Sequence, residues 1–297
     1  MFRTVSELIE QAESLAISLS EVMIRQEMQN FGRTRQETLL GMERNLVVME
    51  EAVSRGLGQE IRSVSGPTGG DALRLQSYLS KGASLSGALL AAVAGAMATN
   101  EVNAAMGRIC ATPTAGASGV VPGVLLALKE RFNPTREQML RFLFTAGAFG
   151  LVIANNAGIS GAAGGCQAEV GSATGMAAAA AVEMAGGEPH RSAHAMALAL
   201  QNVLGLVCDP VAGLVEIPCI MRTAFGAAHA LVAADLALAG IESRIPCDEV
   251  IDAMFRVGQA LPASLRETGQ GGLADTPTGR DLEARIFGTS ATLRRGS

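Results

Sequence analysis

Apolar side chains along this chain recur mostly at the three- and four-residue spacing of an α-helix, and the alternation typical of β-strands is almost absent. In residues 1–60, the most charged part of the chain, Ser18-Leu-Ser-Glu21 and Thr34-Arg-Gln-Glu37 match the capping box that begins a helix. The second motif leads into an apolar stripe at helical spacing, made of Leu39, Leu40, Met42, Leu46, Val47, Ala52 and Val53. We expect this helical segment to pack on the rest of the domain or on a partner.

Residues 61–297 alternate long apolar runs with loops rich in glycine, proline and small polar residues. Start and stop signals place the predicted helices at residues 84–99, 120–132, 135–148, 168–185, 189–206, 220–240, 246–260 and 278–287, with another opening near Asp71. Asn133 is expected to cap the helix that follows Pro134, and Thr278 to cap the last one. The pattern predicts an all-α protein, a single large helical domain over residues 1–297 with Gly-rich site loops between buried helices.

The composition favours a core of small and aliphatic side chains. Of 297 residues, 17% are charged and 3% aromatic, and the chain has 35 glycines and no tryptophan. Glycine and alanine therefore have to let the helices approach closely. The net charge is −5, with no basic patch or aromatic ladder, so nucleic-acid binding is not expected.

A long uncharged stretch raises the question of a membrane span. Residues 142–168 carry no charged side chain and are long enough to cross a bilayer. Their second half is rich in glycine and polar residues, so a buried core helix that leads into a site loop is the better interpretation. The N-terminus has no secretory apolar region. We expect a cytoplasmic protein whose five cysteines stay reduced, since an odd number does not suit a disulfide framework.

Between Asn155 and Cys219, three cysteines lie close to glycine or proline residues that interrupt regular secondary structure. Cys166 follows a Gly-rich segment and precedes a helical run, Cys208 stands two residues before Pro210, and Cys219 follows a proline directly. Prolines stiffen the backbone, so Cys208 and Cys219 are expected on non-helical segments. A thiol at a helix N-terminus ionises readily, as a metal ligand must. The pattern suits a soft-metal or iron–sulfur site, but without a Cys-x-x-Cys pair a role as small buried apolar side chains stays open.

Two polar segments are candidates for a pocket wall. The turn cluster from Ser63 to Asp71 opens a helix, and its backbone N–H groups can hold a carboxylate or phosphate, although the segment also fits a plain helix start. Asn100, Glu101 and Asn103 end an apolar helix ahead of a loop rich in threonine, serine and glycine. Capping and turn formation is the alternative role for these three side chains.

The remaining histidines and cysteines have simpler interpretations. His190 and His194 are four residues apart at a charged helix start without a zinc motif, so a solvated helix start is favoured. His229 is expected to be a hydrogen-bonded core histidine, and Cys110 a core residue. Cys247 begins a helix and is kept as an additional ligand candidate.

Several longer motifs together resemble one family. They are Thr99-Asn-Glu-Val-Asn-Ala-Ala-Met-Gly107, Ala111-Thr-Pro-Thr-Ala-Gly116, Gly161-Ala-Ala-Gly-Gly-Cys-Gln-Ala-Glu-Val-Gly171 and Cys208-Asp-Pro-Val-Ala-Gly-Leu-Val-Glu216. The chain resembles the iron–sulfur-dependent L-serine dehydratases of bacteria over essentially its whole length, and is most similar to the α chain of the two-chain form.

The resemblance implies a [4Fe–4S] cluster held by Cys166, Cys208 and Cys219, with one open iron that acts as a Lewis acid on L-serine. A base removes the α-proton and water is eliminated. The resulting aminoacrylate tautomerises and hydrolyses to pyruvate and ammonia, a reaction of amino-acid catabolism that feeds gluconeogenesis. The resemblance leaves open whether Cys247 or a thiol of the partner fills the open iron position in the resting state.

Motif match and loop position select the candidate substrate-binding or catalytic residues. They are Thr68, Asp71, Asn100, Glu101, Asn103, Asn155, Asn156 and Ser160. Each can instead orient a cluster ligand. Single-chain relatives carry an extra N-terminal domain that this sequence lacks, so we expect a separate β chain and a hetero-oligomer.

Three other functions compete with this one. A pyridoxal-phosphate deaminase needs a Schiff-base lysine, but Lys81 and Lys129 are the only lysines and neither has a cofactor context, so no pyridoxal phosphate is expected. An L-cysteine desulfidase resembles the same family and eliminates sulfide. A non-enzymatic helical scaffold would leave all three thiols without a role.

Overall fold

The structure is a computed structural model that describes residues 1–82, 84–87 and 89–288. These residues form thirteen α-helices, and the β-type pairing among them is an isolated bridge between Cys208 and Arg266. The helices are α1 Val5–Leu15, α2 Leu19–Phe31, α3 Arg35–Gly58, α4 Asp71–Leu79, α5 Leu89–Ala104, α6 Val120–Phe132, α7 Arg136–Asn156, α8 Gly161–Gly164, α9 Ser172–Met184, α10 Pro189–Gln201, α11 Cys219–Leu238, α12 Cys247–Ala260 and α13 Pro277–Phe287. The prediction of an all-α fold is confirmed.

Four short turns of helix complete the described chain. A π-helical turn, Gln167–Gly171, runs directly into α9. Three 3₁₀ turns lie in the loops around α11, α12 and α13, at Val211–Gly213, Ala263–Leu265 and Gly272–Asp275.

Helix α9 lies at the centre of the molecule. Its side chains from Ser172 to Val182 are all buried, and it packs against α6, α7, α10 and α11. Small side chains make such close packing feasible. At the neighbouring α5–α6 crossing, a Cβ on Gly123 would lie 2.6 Å from the carbonyl oxygen of Ala92, so the two backbones are in direct contact there. The expected core of alanine, glycine and aliphatic residues is confirmed.

The charged N-terminal segment packs on the rest of the domain. Helix α1 contacts α10 and α12, α2 contacts α7, and α3 contacts α5. The backbone N–H groups of Val5 and Ser6 both donate to the carboxylate of Asp248, at 2.7 and 3.0 Å. Arg136 forms ion pairs with Glu43 and Glu50 on α3. Of the two packing partners expected for residues 1–60, the domain itself is therefore the one observed.

The caps at the start of the chain match the prediction in one case and half match it in the other. Thr34 and Glu37 form a complete capping box at α3. Ser18 accepts a hydrogen bond from the Glu21 N–H, but the Glu21 carboxylate pairs with Arg25 and Arg35. The second half of the box is therefore replaced by ion pairs.

Two predicted caps were wrong by about two residues. Asn133 ends α6 in the left-handed conformation, with φ 45°, and Thr135 is the residue that caps α7. Helix α13 is capped by Thr276, so it begins at Pro277 and not after Thr278. In both cases a threonine next to the first turn accepts the free backbone N–H, which fixes the start of the helix.

Several helix boundaries also differ from the prediction. Helix α7 continues eight residues past 148, because Phe149, Val152 and Ile153 are buried and extend its core-facing side. Helix α5 begins at Leu89 and ends at Ala104, so the polar cluster from Asn100 to Asn103 lies in its last turn. Helix α10 ends at Gln201 instead of near 206.

Two helices, α7 and α11, are long and apolar enough to cross a membrane by length and composition alone. In the structure, 67% of the apolar window of α7 and 50% of that of α11 are buried against other parts of the protein. Core helices of globular proteins pass the same test. The predicted arrangement at residues 142–168, a buried helix that leads into a loop, matches α7 and the segment after it.

Candidate metal centre

Cys166 is held in place by a glycine turn and a buried glutamine. Gly165 precedes it with φ 78° and ψ −179°, a conformation that only glycine adopts readily. The Gln167 side chain is fully buried, donates to the carbonyls of Gly164 and Met254, and accepts from the N–H of Gly205. These bonds tie the Cys166 segment to α8, α12 and the end of the α10 region.

Cys208 and Cys219 lie at the two ends of one loop. Cys208 is in an extended segment, where its N–H donates to the Leu265 carbonyl at 2.8 Å and its carbonyl accepts from Glu267 at 2.7 Å. Cys219 is the first residue of α11. The expectation of non-helical backbone is therefore met at Cys208 but was wrong at Cys219, because proline restricts the residue before it and leaves the one after free to begin a helix.

Three ligand atoms converge at this point of the fold. The Sγ atoms of Cys166 and Cys208 and a carboxylate oxygen of Glu169 all lie within 4.8 Å of one another. Cys219 interacts electrostatically with this group. Burial, and then the negative charges of Cys166 and Glu169, raise the pKa of its thiol. All three cysteines are buried and free. The structure thus brings Cys166 and Cys208 together with Glu169, and Cys219 lies within electrostatic range of them.

The two adjacent thiols differ in acidity. A hydrogen bond from the Cys208 thiol and the positive charge of Arg222 lower the pKa of Cys166, against the opposing effect of burial. The same hydrogen bond raises the pKa of Cys208, and burial adds to it. Of the two thiols, Cys166 is therefore the one whose surroundings favour the thiolate.

Arg222 supplies positive charge beside the thiols. It lies on α11 one turn after Cys219, and its Nη1 donates to the Asp209 carboxylate at 2.6 Å and to the Val207 carbonyl at 2.8 Å. Asp209 follows Cys208 and also accepts from the Leu273 N–H at 2.7 Å. The cation is thus fixed by the same segment that carries Cys208.

Glu169 is a site residue that the sequence reasoning did not select. Its Oε2 lies 4.0 Å from the Cys208 Sγ, and it accepts hydrogen bonds from Thr114 and from the Gly161 N–H. Burial raises the pKa of Glu169 to about 6. A sequence signal existed, because Glu169 is one helical turn after Cys166. Thr114 and Arg222 were also missed, since their proximity depends on how distant segments pack.

Thr68, a predicted site residue, is bound to the loop between Cys208 and Cys219. Its hydroxyl donates to the Glu216 carboxylate at 2.7 Å, and the Ser65 hydroxyl donates to the other oxygen at 2.5 Å. Glu216 is buried. The predicted turn cluster and the cysteine loop therefore form one hydrogen-bonded unit.

Asp71 and Glu101 meet at the start of α4. The N–H groups of Asp71 and Ala72 donate to Glu101 Oε1 at 2.7 and 3.2 Å, so Glu101 caps this helix from α5. Its other carboxylate oxygen is buried without a hydrogen-bond partner in the described part of the chain. Burial raises the pKa of Glu101.

Asn100 supports the site from behind. It is fully buried, and its Nδ2 donates to the Gly116 carbonyl at 2.8 Å and the Thr223 hydroxyl at 3.1 Å. These contacts join α5 to the loop of Thr114 and to α11. Asn103 donates to the Ala115 carbonyl at 3.4 Å and lines a cavity of ≈ 630 Å³ together with Ser65 and Glu216. The supporting role allowed for Asn100 is the one its contacts favour.

Asn155 and Asn156 lie on an exposed helical turn, whereas Ser160 directly precedes Gly161, which lies against Cys208 and Glu169. The first two are exposed in the last turn of α7, and Asn156 donates to the Arg3 carbonyl at 2.9 Å. Ser160 is exposed at the start of α8. The expected site loop begins only after Asn156, where α7 ends.

Cys247 lies on α12 away from the contacts that this helix makes with the Cys166 segment. It begins α12, whose opposite end contacts Gln167 through Met254 and Gly164 through Gly258. The rise of an α-helix puts Cys247 roughly 10 Å along the axis from Met254. It lines a separate cavity of ≈ 690 Å³ between α1, α10 and α12.

The histidine and Cys110 predictions can also be placed. His190 is exposed between Glu13 and Glu188, which fits a solvated helix start. His229 is half-buried with Nε2 3.1 Å from the Ala199 carbonyl oxygen, as expected of a hydrogen-bonded core histidine. Cys110 is half-buried after α5 and packs against the core.

Comparison with known proteins identifies the family. The model of the serine dehydratase alpha chain family matches residues 14–274. A probable L-serine dehydratase alpha chain of Bacillus subtilis is 67% identical, over 97% of this chain and 96% of the relative. The L-serine dehydratase alpha chain of Peptoniphilus asaccharolyticus is 43% identical, over 95% and 97%. An L-serine dehydratase of Streptomyces coelicolor is 38% identical over 92% of this chain but only 60% of its own length. The chain belongs to the serine dehydratase alpha chain family.

The residues at this centre suit a thiolate-held metal group. Thiolates are the ligands that iron–sulfur clusters and other soft metals select. Cys166, Cys208 and Cys219 are buried, and the nearby guanidinium of Arg222 offsets the negative charge that three thiolates would bring. The donor set therefore suits a soft metal or an iron–sulfur group.

Proposed function

We propose that this chain is the catalytic α chain of an L-serine dehydratase, which converts L-serine to pyruvate and ammonia. The observation that carries the proposal is the meeting of Cys166 and Cys208 with Glu169, beside Arg222 and within electrostatic range of Cys219. The names of the relatives from three bacteria support the substrate.

In this proposal the three cysteines hold a [4Fe–4S] cluster. When bound, the cluster supplies a Lewis acid that assists departure of the serine hydroxyl. Loss of the α-proton and the hydroxyl gives water and aminoacrylate. The aminoacrylate tautomerises to an imine, which water hydrolyses to pyruvate and ammonia.

The surrounding residues of the chain position the ligands and shield them from water. Glu169 accepts from Thr114 and Gly161 and lies against Cys208, so it fixes the wall that faces two of the thiols. Arg222 holds the Cys208 segment through Asp209. Thr68 and Asn103 stay candidates for substrate contacts, because both adjoin the loop that joins Cys208 to Cys219 or its cavity.

The proposal includes a separate β chain. This chain spans 60% of the Streptomyces coelicolor relative, which leaves a further region of that protein without a counterpart here. Two relatives that match over nearly their full length are named alpha chains. We place the complex in the reducing cytoplasm, where free thiols persist.

The test is purification without oxygen, both alone and with the co-expressed partner chain. Iron, acid-labile sulfide and the visible spectrum would be recorded together with pyruvate formation from L-serine. A broad absorption band near ~400 nm, typical of thiolate-held clusters, with serine-dependent pyruvate is the expected result. A colourless, iron-free complex would refute the cluster.

L-cysteine and L-threonine belong in the same assay. Sulfide release from L-cysteine with little pyruvate from L-serine would favour a desulfidase of the same family. A brown α chain that becomes active only with its partner would locate the missing part of the machinery on the β chain.

A further inference from the structure

Arg266 lies beside a cysteine of the candidate centre. It follows the 3₁₀ turn Ala263–Leu265 and pairs with Cys208 in the isolated β-bridge. The two bonds of that bridge, Cys208 N–H to the Leu265 carbonyl and Glu267 N–H to the Cys208 carbonyl, measure 2.8 and 2.7 Å. The backbone of Arg266 is therefore fixed to that of Cys208.

The guanidinium of Arg266 is only partly used. Its Nη1 donates to the Ala163 carbonyl at 3.4 Å, while its Nε is buried and has no hydrogen-bond partner among the residues that the structure describes. Within the same residues, Arg266 has no carboxylate oxygen within 4.0 Å. A buried donor without a partner is costly, and an explanation is a ligand that supplies the acceptor.

Helix α8 relates this guanidinium to the thiols. At Gly161 an added Cβ would lie 3.0 Å from the Cys208 Sγ and 2.6 Å from Glu169 Oε2. Two residues on, the Ala163 carbonyl accepts from Arg266. The arginine and the cysteine site thus contact the same four-residue helix.

The side of the guanidinium that carries the unpaired Nε–H is suited to binding a carboxylate. An arginine presents Nε–H and one Nη–H side by side, and this pair matches the two oxygens of a carboxylate. Arg222, the other arginine at the centre, already donates to Asp209 and Val207. Cysteine thiolates that hold a metal group would bring negative charge to this centre, so an anionic substrate group needs a cation of its own there.

We propose that Arg266 binds the α-carboxylate of the amino-acid substrate through its Nε–H edge. The inference rests on the proposed function and deepens it, because it names the group that selects an α-amino acid. Arg266 is then a substrate-binding residue, and the contact to Ala163 orients its guanidinium.

The experiment uses the complex of this chain with its partner chain, purified without oxygen, as wild type, Arg266→Met and Arg266→Lys. Arg244→Met is the matched control, since Arg244 is 90% exposed and pairs loosely with Glu242. We expect Arg266→Met to raise the KM for L-serine roughly ten- to hundredfold, the range for loss of a charge-assisted hydrogen bond. The KM of Arg266→Lys should lie between those of Arg266→Met and wild type, and the KM of Arg244→Met should equal that of wild type.

Two further measurements separate substrate binding from a structural role. L-alanine and L-alaninamide, which have no hydroxyl to eliminate, would be titrated by calorimetry and as inhibitors. Wild type should prefer L-alanine, and Arg266→Met should lose that preference while its iron content and visible spectrum stay unchanged. An unchanged KM and an unchanged preference would overturn the inference, and so would loss of iron, which would assign Arg266 to the cluster.

The two proposals fail in different ways. If the wild-type complex forms no pyruvate from L-serine, the proposed function is wrong, and calorimetry with L-alanine still decides whether Arg266 binds a carboxylate. If the wild type is active and the Arg266 variants behave like Arg244→Met, only the role of Arg266 is refuted.

Discussion

Arg222 and Asp209 form an ion pair at the candidate centre, with 2.6 Å between Nη1 and Oδ1. The Asp209 side chain is 3% exposed and that of Arg222 18% exposed, so neither charge is well hydrated. One partner follows Cys208 in sequence and the other follows Cys219 by one helical turn. The pair therefore joins the two segments that carry these ligands.

Removal of either charge should destabilise the chain strongly. We expect Asp209→Asn to lower the free energy of unfolding by about 3–5 kcal/mol, because a buried arginine is left without its counter-ion. Chemical denaturation followed by circular dichroism measures this. Asp252→Asn, which breaks the exposed pair with Arg256, should cost at most about 1 kcal/mol. Equal losses in the two variants would contradict the assigned burial.

Iron retention should depend on three of the five cysteines. Cys166→Ala, Cys208→Ala and Cys219→Ala are each expected to remove most of the bound iron and the visible band, because each takes away one of three thiolates. Cys110→Ala and Cys247→Ala are the matched controls and should keep both. Iron analysis after oxygen-free purification decides. Loss of iron from Cys247→Ala would bring that residue back as a ligand.

Gly165 should tolerate no side chain. An added Cβ would lie 2.6 Å from Leu261 Cδ1 and 3.0 Å from the Leu206 carbonyl oxygen, and the φ of 78° disfavours any other residue. Gly186 has a similar φ of 83° but nothing within 4 Å, so Gly186→Ala isolates the backbone cost of about 1–2 kcal/mol. We expect Gly165→Ala to cost more than that in unfolding free energy and to reduce iron binding. Equal losses of unfolding free energy in the two variants would show that the residues around Gly165 can move to accommodate a methyl group.

Glu101 gives the stability a pH dependence of predictable sign. Burial raises the pKa of Glu101 above its usual 4.5, so the folded state binds its proton more tightly than the unfolded chain does. Its contribution is most favourable below pH 4.5 and is lost as the pH rises through the raised value. Glu101→Gln should keep the bond to the Asp71 N–H and remove this dependence. The free energy of unfolding should be measured for both proteins between pH 4 and 8. As the pH rises, the value for the variant should increase relative to that of wild type. A constant difference between the two would refute the shift.

The candidate cysteine ligands could be predicted from the sequence, whereas the residues around them could not. Cys166, Cys208 and Cys219 follow from motifs that resemble a known family, and the structure brings the first two of them together. Glu169 lay inside one of those motifs, but its role depends on Thr114, which the fold brings from a distant loop. Arg222 has no local signal, because its partner Asp209 lies across the loop that precedes α11.

The helix boundaries show a similar division. Apolar spacing predicted that helices exist along almost the whole chain, since the buried faces repeat every three to four residues. Their ends depend on local details such as the cap at Thr276, which begins α13, and the buried Val152 and Ile153, which extend α7 past its predicted end. Because the predicted helix ends at residue 148, the prediction places Asn155 and Asn156 in a loop. They lie instead on an exposed helical turn.

The three cysteines lie on segments that are well separated in sequence: Cys166 just before the π-helical turn that leads into α9, Cys208 in the extended segment that pairs with Arg266, and Cys219 in the first turn of α11. A group bound by all three would act as a covalent cross-link of the native chain, restricting the unfolded ensemble as a disulfide does. Binding free energy at such a site is also folding free energy. Damage to the metal group would then shorten the lifetime of the folded protein as well as its catalytic life, so that chains without the group become the ones most open to proteolysis.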